Sequence, residues 1–470
     1  MYLSGVRPRK GTGGVDAAGV VAPAGTDSTG GPAGVSSGAR AGRIITGNVI
    51  ALGTVSLVTD VSSEMITAVL PAYLVLGLHL SMIQYGVVDG FYIGATALTR
   101  LVGGYLADRL RWRKAVAGFG YGLSAVAKLG LLFAGPWAVG IVGALGADRI
   151  GKGLRTAPRD ALITLSTPVH GLGRAFGVHR TMDSVGAFLG PLAALAVLAG
   201  AGQAYDAVFV VSFCVAVAGV LLLVLFVRDR REPVRAAAGV SLRAGVGLLR
   251  RPGFRMVQLA AVLLGLATVG DGFVYLMLQR SEGLPVIWFP LLAVGTNLGY
   301  LLLALPLGWL ADRVGRWPVV LGGYGALLAV YLLLAAGVGG WASLLAVVLL
   351  YGAFYAGTDG VLIAYAGPML PASLRTTGIA LLQTGQAVAY LVSSIGFGVA
   401  WQWWGPARAS GIAAVGVLLV LPLSALLLRG AARSAGASAP GPAVPDGGGG
   451  ATATRGRGMK LLRRDRRTRE

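Results

Sequence analysis

The sequence predicts an all-α integral membrane protein with twelve transmembrane helices in two pseudo-symmetric halves of six helices each. Three observations predict this fold class. Hydrophobic residues make up 55% of the chain and charged residues only 13%, whereas soluble domains carry about 25% charged residues. Twelve apolar stretches are each long enough to cross about 30 Å of hydrocarbon. Finally, a short motif recurs at the ends of the second and the eighth stretch.

The apolar stretches divide the chain into two halves and three polar segments. The predicted spans are residues 45–77, 85–107, 115–134, 137–156, 175–199, 206–227, 254–278, 286–310, 318–336, 341–366, 374–400 and 406–428. We therefore predict a disordered cytoplasmic N-terminal tail (1–43), an N-terminal half (44–227), a basic cytoplasmic connector (228–253), a C-terminal half (254–429) and a disordered basic cytoplasmic C-terminal tail (430–470). The tails are assigned as disordered because they are rich in small or basic residues and have no apolar core.

The distribution of basic residues predicts the orientation in the membrane. Outside the spans, Lys and Arg concentrate in the tails and in the connections after the even-numbered spans. The connections after the odd-numbered spans carry only Arg280 and Arg408. Because Lys and Arg stay on the cytoplasmic side, we expect a multi-pass protein of the inner (plasma) membrane with both termini cytoplasmic. The net charge of +21 then requires no nucleic-acid partner.

The recurring motif belongs to an internal repeat. The sequence G-Y-L-A-D-R occupies Gly104–Arg109, and G-W-L-A-D-R occupies Gly308–Arg313. A second pair, R-A-F-G at Arg174 and R-T-T-G at Arg375, follows the fourth and the tenth span with a similar offset. Repeated halves of this kind are typical of secondary transporters, in which the substrate site lies near the membrane midplane between the halves.

Residues 44–428 resemble the major facilitator superfamily, and in particular its bacterial drug and metabolite efflux-type members. The most specific match is the loop motif G-x-L-A-D-R-x-G-R, although Arg111 stands in the first copy where Gly is usual. The resemblance implies a gating function for Gly104, Asp108, Arg109, Arg113, Gly308, Asp312, Arg313, Gly315 and Arg316. Physically, an aspartate at a helix end can latch to a neighbouring helix N-terminus or to an arginine across the interface in one conformation only. The alternative is a charge cluster that only sets the topology.

Two further stretches resemble motifs of the same superfamily. Arg149 and Lys152 in the fourth span resemble the R-x-x-Q-G motif, with Lys in place of Gln. Gly186, Gly190 and Pro191 in the fifth span resemble the G-x-x-x-G-P motif associated with antiporters. The same glycine spacing also marks ordinary helix packing, so both interpretations stay open.

Charged residues inside the spans are the candidates for function. A charge at the bilayer centre costs about 2.5–3.5 kcal/mol, so it requires a partner, a water-filled cavity or a functional role. The candidates for proton coupling are Asp60, Glu64, Asp183 and Asp271. The candidates for the substrate cavity are Arg149, Lys152, Arg100, Lys128 and Asp359.

Asp60 and Glu64 are the strongest pair among these candidates. They are four residues apart, so they share one helix face. Two carboxylates this close in a medium of low dielectric constant resist simultaneous ionisation, so we expect Asp60 and Glu64 to form the proton-carrying pair, with Arg149 as the counter-charge. The alternative is that both pair permanently with Arg149 or Lys152 and only hold helices together.

The remaining intramembrane charges have simpler interpretations. Arg180 and Asp183 are three residues apart and can neutralise each other locally. Arg100 and Lys128 either extend to the membrane surface or pair with Asp89. Four tyrosines either contact the solute or belong to the aromatic belts at the interfaces, and we favour the belts for most of them: Tyr73, Tyr92, Tyr355 and Tyr365.

The sequence thus favours a secondary active transporter of a small organic solute that works by alternating access, with proton-coupled export as the leading expectation. Uptake or facilitated diffusion of a metabolite is the first alternative, and a non-transporting membrane sensor with a carrier fold is the second. The chain has no Walker loop and no metal-like histidine spacing, so we expect no enzyme, no cofactor and no metal. The expected partners are the solute, protons and the lipid bilayer, and the expected state is a monomer.

Overall fold

The structure is a computed structural model that describes residues 46–110, 112–135, 137–168, 171–229, 247–371 and 374–437. Only the backbone is described at residues 97–98, 100–110, 138, 376 and 435–437. The regular structure in these ranges is helical. The predicted N-terminal tail, most of the connector and the end of the chain from residue 438 lie outside the described residues.

The N-terminal half contains six helices. They are α1 (Gly47–Ala72), α2 (Met82–Leu110), α3 (Arg113–Ala134), α4 (Ala138–Leu165), α5 (Leu172–Gly200) and α6 (Tyr205–Phe226). Thr46 caps the first of them, since its side-chain oxygen accepts a hydrogen bond from the backbone N–H of Val49. The end of α1 continues as a π-helical turn, Tyr73–Gly77.

The C-terminal half has the same number of spans, but two of them are broken. Its helices are α7a (Pro252–Leu266), α7b (Asp271–Ser281), α8 (Phe289–Val314), α9 (Arg316–Ala336), α10a (Trp341–Thr358), α10b (Val361–Ala366), α11 (Arg375–Trp404) and α12 (Pro406–Ala437). Short 3-10 turns lie at Val286–Trp288 and Gly367–Met369. The helix α12 continues past residue 430, where we predicted the tail to begin, and α7a begins within the predicted connector.

The twelve-span prediction is confirmed, with one large correction to a boundary. In the described chain, ten helical segments are long and apolar enough to cross a membrane, and α2 and α4, with 29 and 28 residues, complete the set. We predicted that the fourth span ends at residue 156, but α4 runs to Leu165. The reason is that Arg159 is buried and paired with Asp160 instead of lying in a loop.

Two ends of the bundle can be distinguished. The connector end carries Arg228, whose backbone N–H donates to the side chain of Asn48 at the start of α1 (2.8 Å). The opposite end, here called the far end, contains the turns α1–α2, α5–α6 and α7b–α8. The aromatic ring of Phe273 in α7b packs there against Tyr85 and Phe397, with ring centroids 4.7 and 5.0 Å apart.

The halves meet closely at the far end, along α2 and α11. A Cβ at Gly86 would lie 2.5 Å from the carbonyl oxygen of Ser394, and one at Gly90 would lie 2.9 Å from the Cα of Leu391. Because small residues let helix backbones approach, these glycines allow the contact. The contact brings α2 of the N-terminal half and α11 of the C-terminal half together in the far-end part of the bundle.

Candidate functional site

A cavity of about 740 Å³ lies between the two halves. Residues of α1, α2, α4, α5, α7a, α7b, α8, α9, α10a, α10b and α11 line it. Its charged lining residues are Glu64, Asp89, Arg149, Lys152, Asp271 and Asp359. Its tyrosines are Tyr85, Tyr92, Tyr275, Tyr300, Tyr324, Tyr355 and Tyr390. Of the four tyrosines considered for the interface belts, Tyr92 and Tyr355 line the cavity.

The predicted acid pair of α1 is divided between two different partners on α4. Oδ1 of Asp60 lies 3.6 Å from Nη2 of Arg155. Oε1 of Glu64 lies 3.9 Å from Nζ of Lys152. Glu64 and Lys152 line the cavity, whereas the Asp60 and Arg155 side chains are packed between the helices, with 16% and 4% of their surface exposed. The predicted counter-charge, Arg149, is not the nearest base to either acid.

Arg149 belongs to a separate buried cluster with Lys128 and Asp148. Its Nε donates to Oδ2 of Asp148 (3.0 Å), and Nζ of Lys128 lies 3.3 Å from Oδ1 of the same carboxylate. The hydroxyl of Ser124 also donates to Asp148. The guanidinium of Arg149 stacks on the ring of Tyr92, 3.8 Å from its centroid, and so faces the cavity. Lys128 was predicted to pair with Asp89 or to line the cavity, but it lies behind the cavity wall, bound to Asp148.

The predicted proton-coupling residue Asp183 lies on α5, outside the cavity lining. Its Oδ1 is 3.6 Å from Nε2 of His179 and its Oδ2 is 3.9 Å from Nη1 of Arg180. The second distance agrees with the local pairing expected from the spacing of Arg180 and Asp183. His179 is 1% exposed and Arg180 is largely exposed.

The acids of the C-terminal half lie at the two helix breaks. Asp271 is the first residue of α7b, and its Oδ1 accepts hydrogen bonds from the hydroxyls of Tyr351 (3.0 Å) and Tyr355. Asp359 ends α10a and precedes Gly360, whose φ of +75° lies in the left-handed region. Both acids line the cavity. The breaks therefore place a carboxylate of each broken span at the cavity between the halves.

Asp89 is a cavity residue that we did not predict as a site residue. Its Oδ2 accepts hydrogen bonds from the hydroxyls of Tyr390 (2.9 Å) and Ser394 (2.8 Å) of α11. These partners are 301 and 305 residues away in the chain, and Arg100, the other partner that we considered, has a side chain outside the described part. A local sequence pattern gives no signal for such a pairing, although an acid in the first third of an apolar span does mark the position as unusual.

The glycine motif of α5 packs against the acid face of α1. A Cβ at Gly186 would lie 2.5 Å from the carbonyl oxygen of Leu57, and one at Gly190 would lie 2.5 Å from the Cβ of Glu64. Pro191 lines the cavity. The motif therefore serves close helix packing, and this packing sets the position of Glu64. Its proposed link with antiport stays a prediction.

The structure describes the side chains of the second copy of the gating motif but only part of the first. The side chains of the first copy, at Gly104, Asp108 and Arg109, lie outside the described part of the structure, and Arg113 begins α3 as a buried residue.

In the second copy, Gly315 joins α8 to α9 with a φ of +98°, a conformation that favours glycine. Arg316 Nη1 donates to the carbonyl of Ala364 (2.6 Å), so the motif ties α9 to α10b within one half. Arg313 stacks on Trp309, and Asp312 is exposed. A latch between the halves at Asp312 stays a prediction.

Both a family model and a relative of known family match this chain. A model of the Major Facilitator Superfamily matches residues 52–298. An uncharacterized MFS-type transporter of Methanocaldococcus jannaschii is 29% identical over 368 residues, which are 77% of this chain and 90% of the relative.

Two solved structures are similar in fold, although their identity to this chain is low. The nucleoside transporter NupG has a TM-score of 0.68 at 12% identity, and the similarity covers 82% of this chain and 99% of that protein. A D-xylose–proton symporter has a TM-score of 0.60 at 16% identity, with 80% and 96% covered. The resemblance found in the sequence motifs is thereby confirmed, and the chain belongs to the major facilitator superfamily of membrane transporters.

Proposed function

We propose that this chain is a secondary active transporter that exports a small organic solute across the cytoplasmic membrane in exchange for protons, with both termini cytoplasmic. The observation that carries the proposal is the position of Glu64. It lines the cavity between the halves and faces one basic partner, Lys152, at 3.9 Å. A carboxylate that the cavity reaches and a cation balances is a group at which a proton and a solute can compete.

The exchange follows from this competition. An ionised Glu64 accepts a hydrogen bond or a positive charge from the solute, and Lys152 neutralises it when the site is empty. A proton on Glu64 removes both interactions. Because proton and solute then exclude each other, binding of one favours release of the other, as antiport requires. The second cavity acid, Asp271, stays available to the solute because its hydroxyl partners hold it without neutralising its charge.

Asp60 and Asp183 have a different role in this proposal. Asp60 is packed against Arg155 between α1 and α4, and the ring of Tyr121 lies 4.5 Å from the guanidinium carbon of Arg155. Asp183 is held by its own helix neighbours. Since neither lines the cavity, we assign Asp60 to holding α1 and α4 together and Asp183 to local pairing within α5. The proton site then reduces to Glu64, with Asp271 as the second carboxylate.

Uptake is the second candidate function. It uses the same pair, Glu64 and Lys152, but the proton and the solute bind together instead of competing. When Glu64 is protonated, the ammonium group of Lys152 is free to bind an anionic group of a solute. Proton and solute then bind together and travel in one direction. The position of Lys152 in the cavity lining favours this arrangement for an anionic solute. A sensor with a carrier fold would show neither flux.

The direction can be tested in cells that express the wild type, Glu64→Gln or no transporter, against a panel of toxic cationic, neutral and anionic compounds. Export predicts resistance to at least one compound class, which Glu64→Gln loses. Asp206→Asn, an exposed residue at the start of α6, is the matched control and keeps the resistance. Increased sensitivity with the wild type would identify uptake instead.

The coupling can be tested in reconstituted vesicles with a compound from that panel. Glu64→Gln should abolish accumulation that is driven by a pH gradient, while solute–solute exchange persists because this half-cycle moves no net proton. Gradient-driven accumulation at the wild-type rate in Glu64→Gln would place the proton site elsewhere, and Asp271→Asn is then the next variant. A wild type that ignores the gradient would contradict proton coupling.

A further inference from the structure

The hydrogen bonds of Asp89 join the two halves of the molecule. The carboxylate belongs to α2 of the N-terminal half, and both donors, Tyr390 and Ser394, belong to α11 of the C-terminal half. Ser394 is fully buried, and Asp89 and Tyr390 line the cavity. The cavity and the contact between the halves therefore share one carboxylate.

The packing around this carboxylate is close on the side of the break between α7a and α7b. A Cβ at Gly270, in the break of α7, would collide with the Asp89 carboxylate and with the hydroxyl of Tyr390. Nearer the far end, the backbone N–H of Met82 donates to the side chain of Gln402 (3.1 Å). Alternating access requires the halves to separate at this end. The two bonds to Asp89 must break when they do.

The strength of this contact depends on the charge of Asp89. Both hydroxyls donate to the same oxygen, Oδ2. An ionised carboxylate oxygen accepts two such bonds, and bonds to a charged acceptor are stronger than bonds between neutral groups. A protonated carboxyl group loses that charge and, if Oδ2 carries the proton, part of its capacity to accept. Protonation therefore weakens the contact between α2 and α11.

The titratable neighbours support a site that responds to protons. Those that face Asp89 are Tyr390 of α11, Asp271 of α7b and Tyr85 of its own helix. The charged groups of α4 and α1 face Tyr92, one turn further along α2, and not Asp89 itself. These groups are Arg149, Asp148 and Glu64. The direct partners of Asp89 in the described structure are neutral hydroxyls, so the charge of Asp89 is not cancelled by an ion pair there.

We infer that Asp89 is a second proton-binding residue, which holds the far end of the cavity closed when it is ionised and releases it when a proton binds. This inference rests on the proposed alternating access. Asp89 is distinct from the transported-proton site at Glu64, and its protonation state biases which end of the cavity is open. Because the ionised carboxylate holds the contact, closure of the far end is favoured at alkaline pH and is lost as the pH falls.

The test measures the distance between the halves and needs neither solute nor gradient. Spin labels on Ala201→Cys and Ser281→Cys, exposed far-end positions on opposite halves, report the distance by pulsed electron resonance in the Cys214→Ser background. In wild-type protein in vesicles, we expect a short distance at alkaline pH and a growing long-distance population at acid pH. Asp89→Asn should show the long-distance population at both pH values, with the closed-to-open ratio at alkaline pH reduced about tenfold or more.

Matched variants separate this role from general loosening of the fold. Tyr390→Phe and Ser394→Ala each remove one donor and should shift the ratio in the same direction by less. Tyr365→Phe also loses a hydroxyl bond, to the carbonyl of Leu428 (2.6 Å), but within one half, and should leave the ratio unchanged. Wild-type distances that do not change with pH, or an Asp89→Asn variant that keeps the wild-type response, would overturn the inference. Failure of transport with a normal distance response would instead contradict only the proposed function.

Discussion

Arg155 of α4 lies 3.6 Å from Asp60 of α1, and both side chains are packed away from the cavity. One turn along each helix, Lys152 and Glu64 form the corresponding pair at the cavity wall. Two pairs of similar chemistry thus have different surroundings. The inner pair, Asp60 and Arg155, has no access to the solute, so its loss should lower the stability of the protein. Loss of the outer pair, Glu64 and Lys152, should instead affect proton coupling.

The first prediction concerns the inner pair. Asp60→Asn leaves the Arg155 guanidinium buried without a counter-charge, and removing one partner of a buried ion pair costs about 3–5 kcal/mol. We expect a large loss of thermal stability in the purified protein. Asp206→Asn is the control, because this carboxylate is exposed in the first turn of α6 and an exposed charge at a helix N-terminus contributes about 1 kcal/mol or less. An Asp60→Asn variant as stable as this control would contradict the assigned role.

The second prediction concerns the packing of α5 on α1. Gly190→Ala places a methyl group against Glu64 and should destabilise the protein by about 1–3 kcal/mol, as overpacking does. Gly177→Ala lies on the same helix with open space around it and should be neutral or stabilising by up to about 1 kcal/mol. Thermal unfolding of both variants measures the difference. Equal stability of the two would show that α1 and α5 are not held at this distance.

The third prediction concerns the latches. Asp312→Asn and Asp108→Asn should leave protein levels near normal and slow transport, because these charges bias one conformation without touching the solute. Turnover and apparent affinity for a compound from the toxicity panel are the measurements. A large fall in affinity at unchanged turnover would instead place these residues in solute binding.

The fourth prediction concerns orientation. A cysteine at Ser281, in the Cys214→Ser background, should react with a membrane-impermeant maleimide in intact cells, since the connections with few basic residues are expected outside. A cysteine at Arg251, an exposed residue at the connector end, should react only after permeabilisation. The reverse pattern would invert the proposed topology.

The sequence was sufficient for the fold and for several of the cavity residues. Hydropathy and the repeated motif depend on local composition, so they predicted twelve spans and two halves. Charged residues are costly in the membrane interior, and this cost singled out Glu64, Lys152 and Asp271. All three line the cavity. The same cost could not separate Glu64 from Asp60, because both share a helix face and differ only in what the neighbouring helices place beside them.

Partner choice and helix breaks were beyond local reasoning. Which base of α4 meets Asp60 or Glu64 depends on the rotation of α4 about its axis relative to α1, which no single span encodes. The breaks in α7 and α10 had a signal that we did not use: Gly270-Asp271-Gly272 and Asp359-Gly360 interrupt apolar runs with turn-forming residues. We read these spans as continuous because hydropathy averages over such short interruptions.

The charges of α4 have a consequence for biogenesis. Asp148, Arg149 and Lys152 lie near its middle, and each unpaired charge there would cost about 2.5–3.5 kcal/mol in the lipid interior. Alone, α4 is therefore a poor candidate for release from the translocation machinery. Its partners from other helices lie on α1 and α3, which are synthesised first. We therefore expect α1 and α3 to stay beside the exit site until α4 emerges, and to supply there the partners that its charges need.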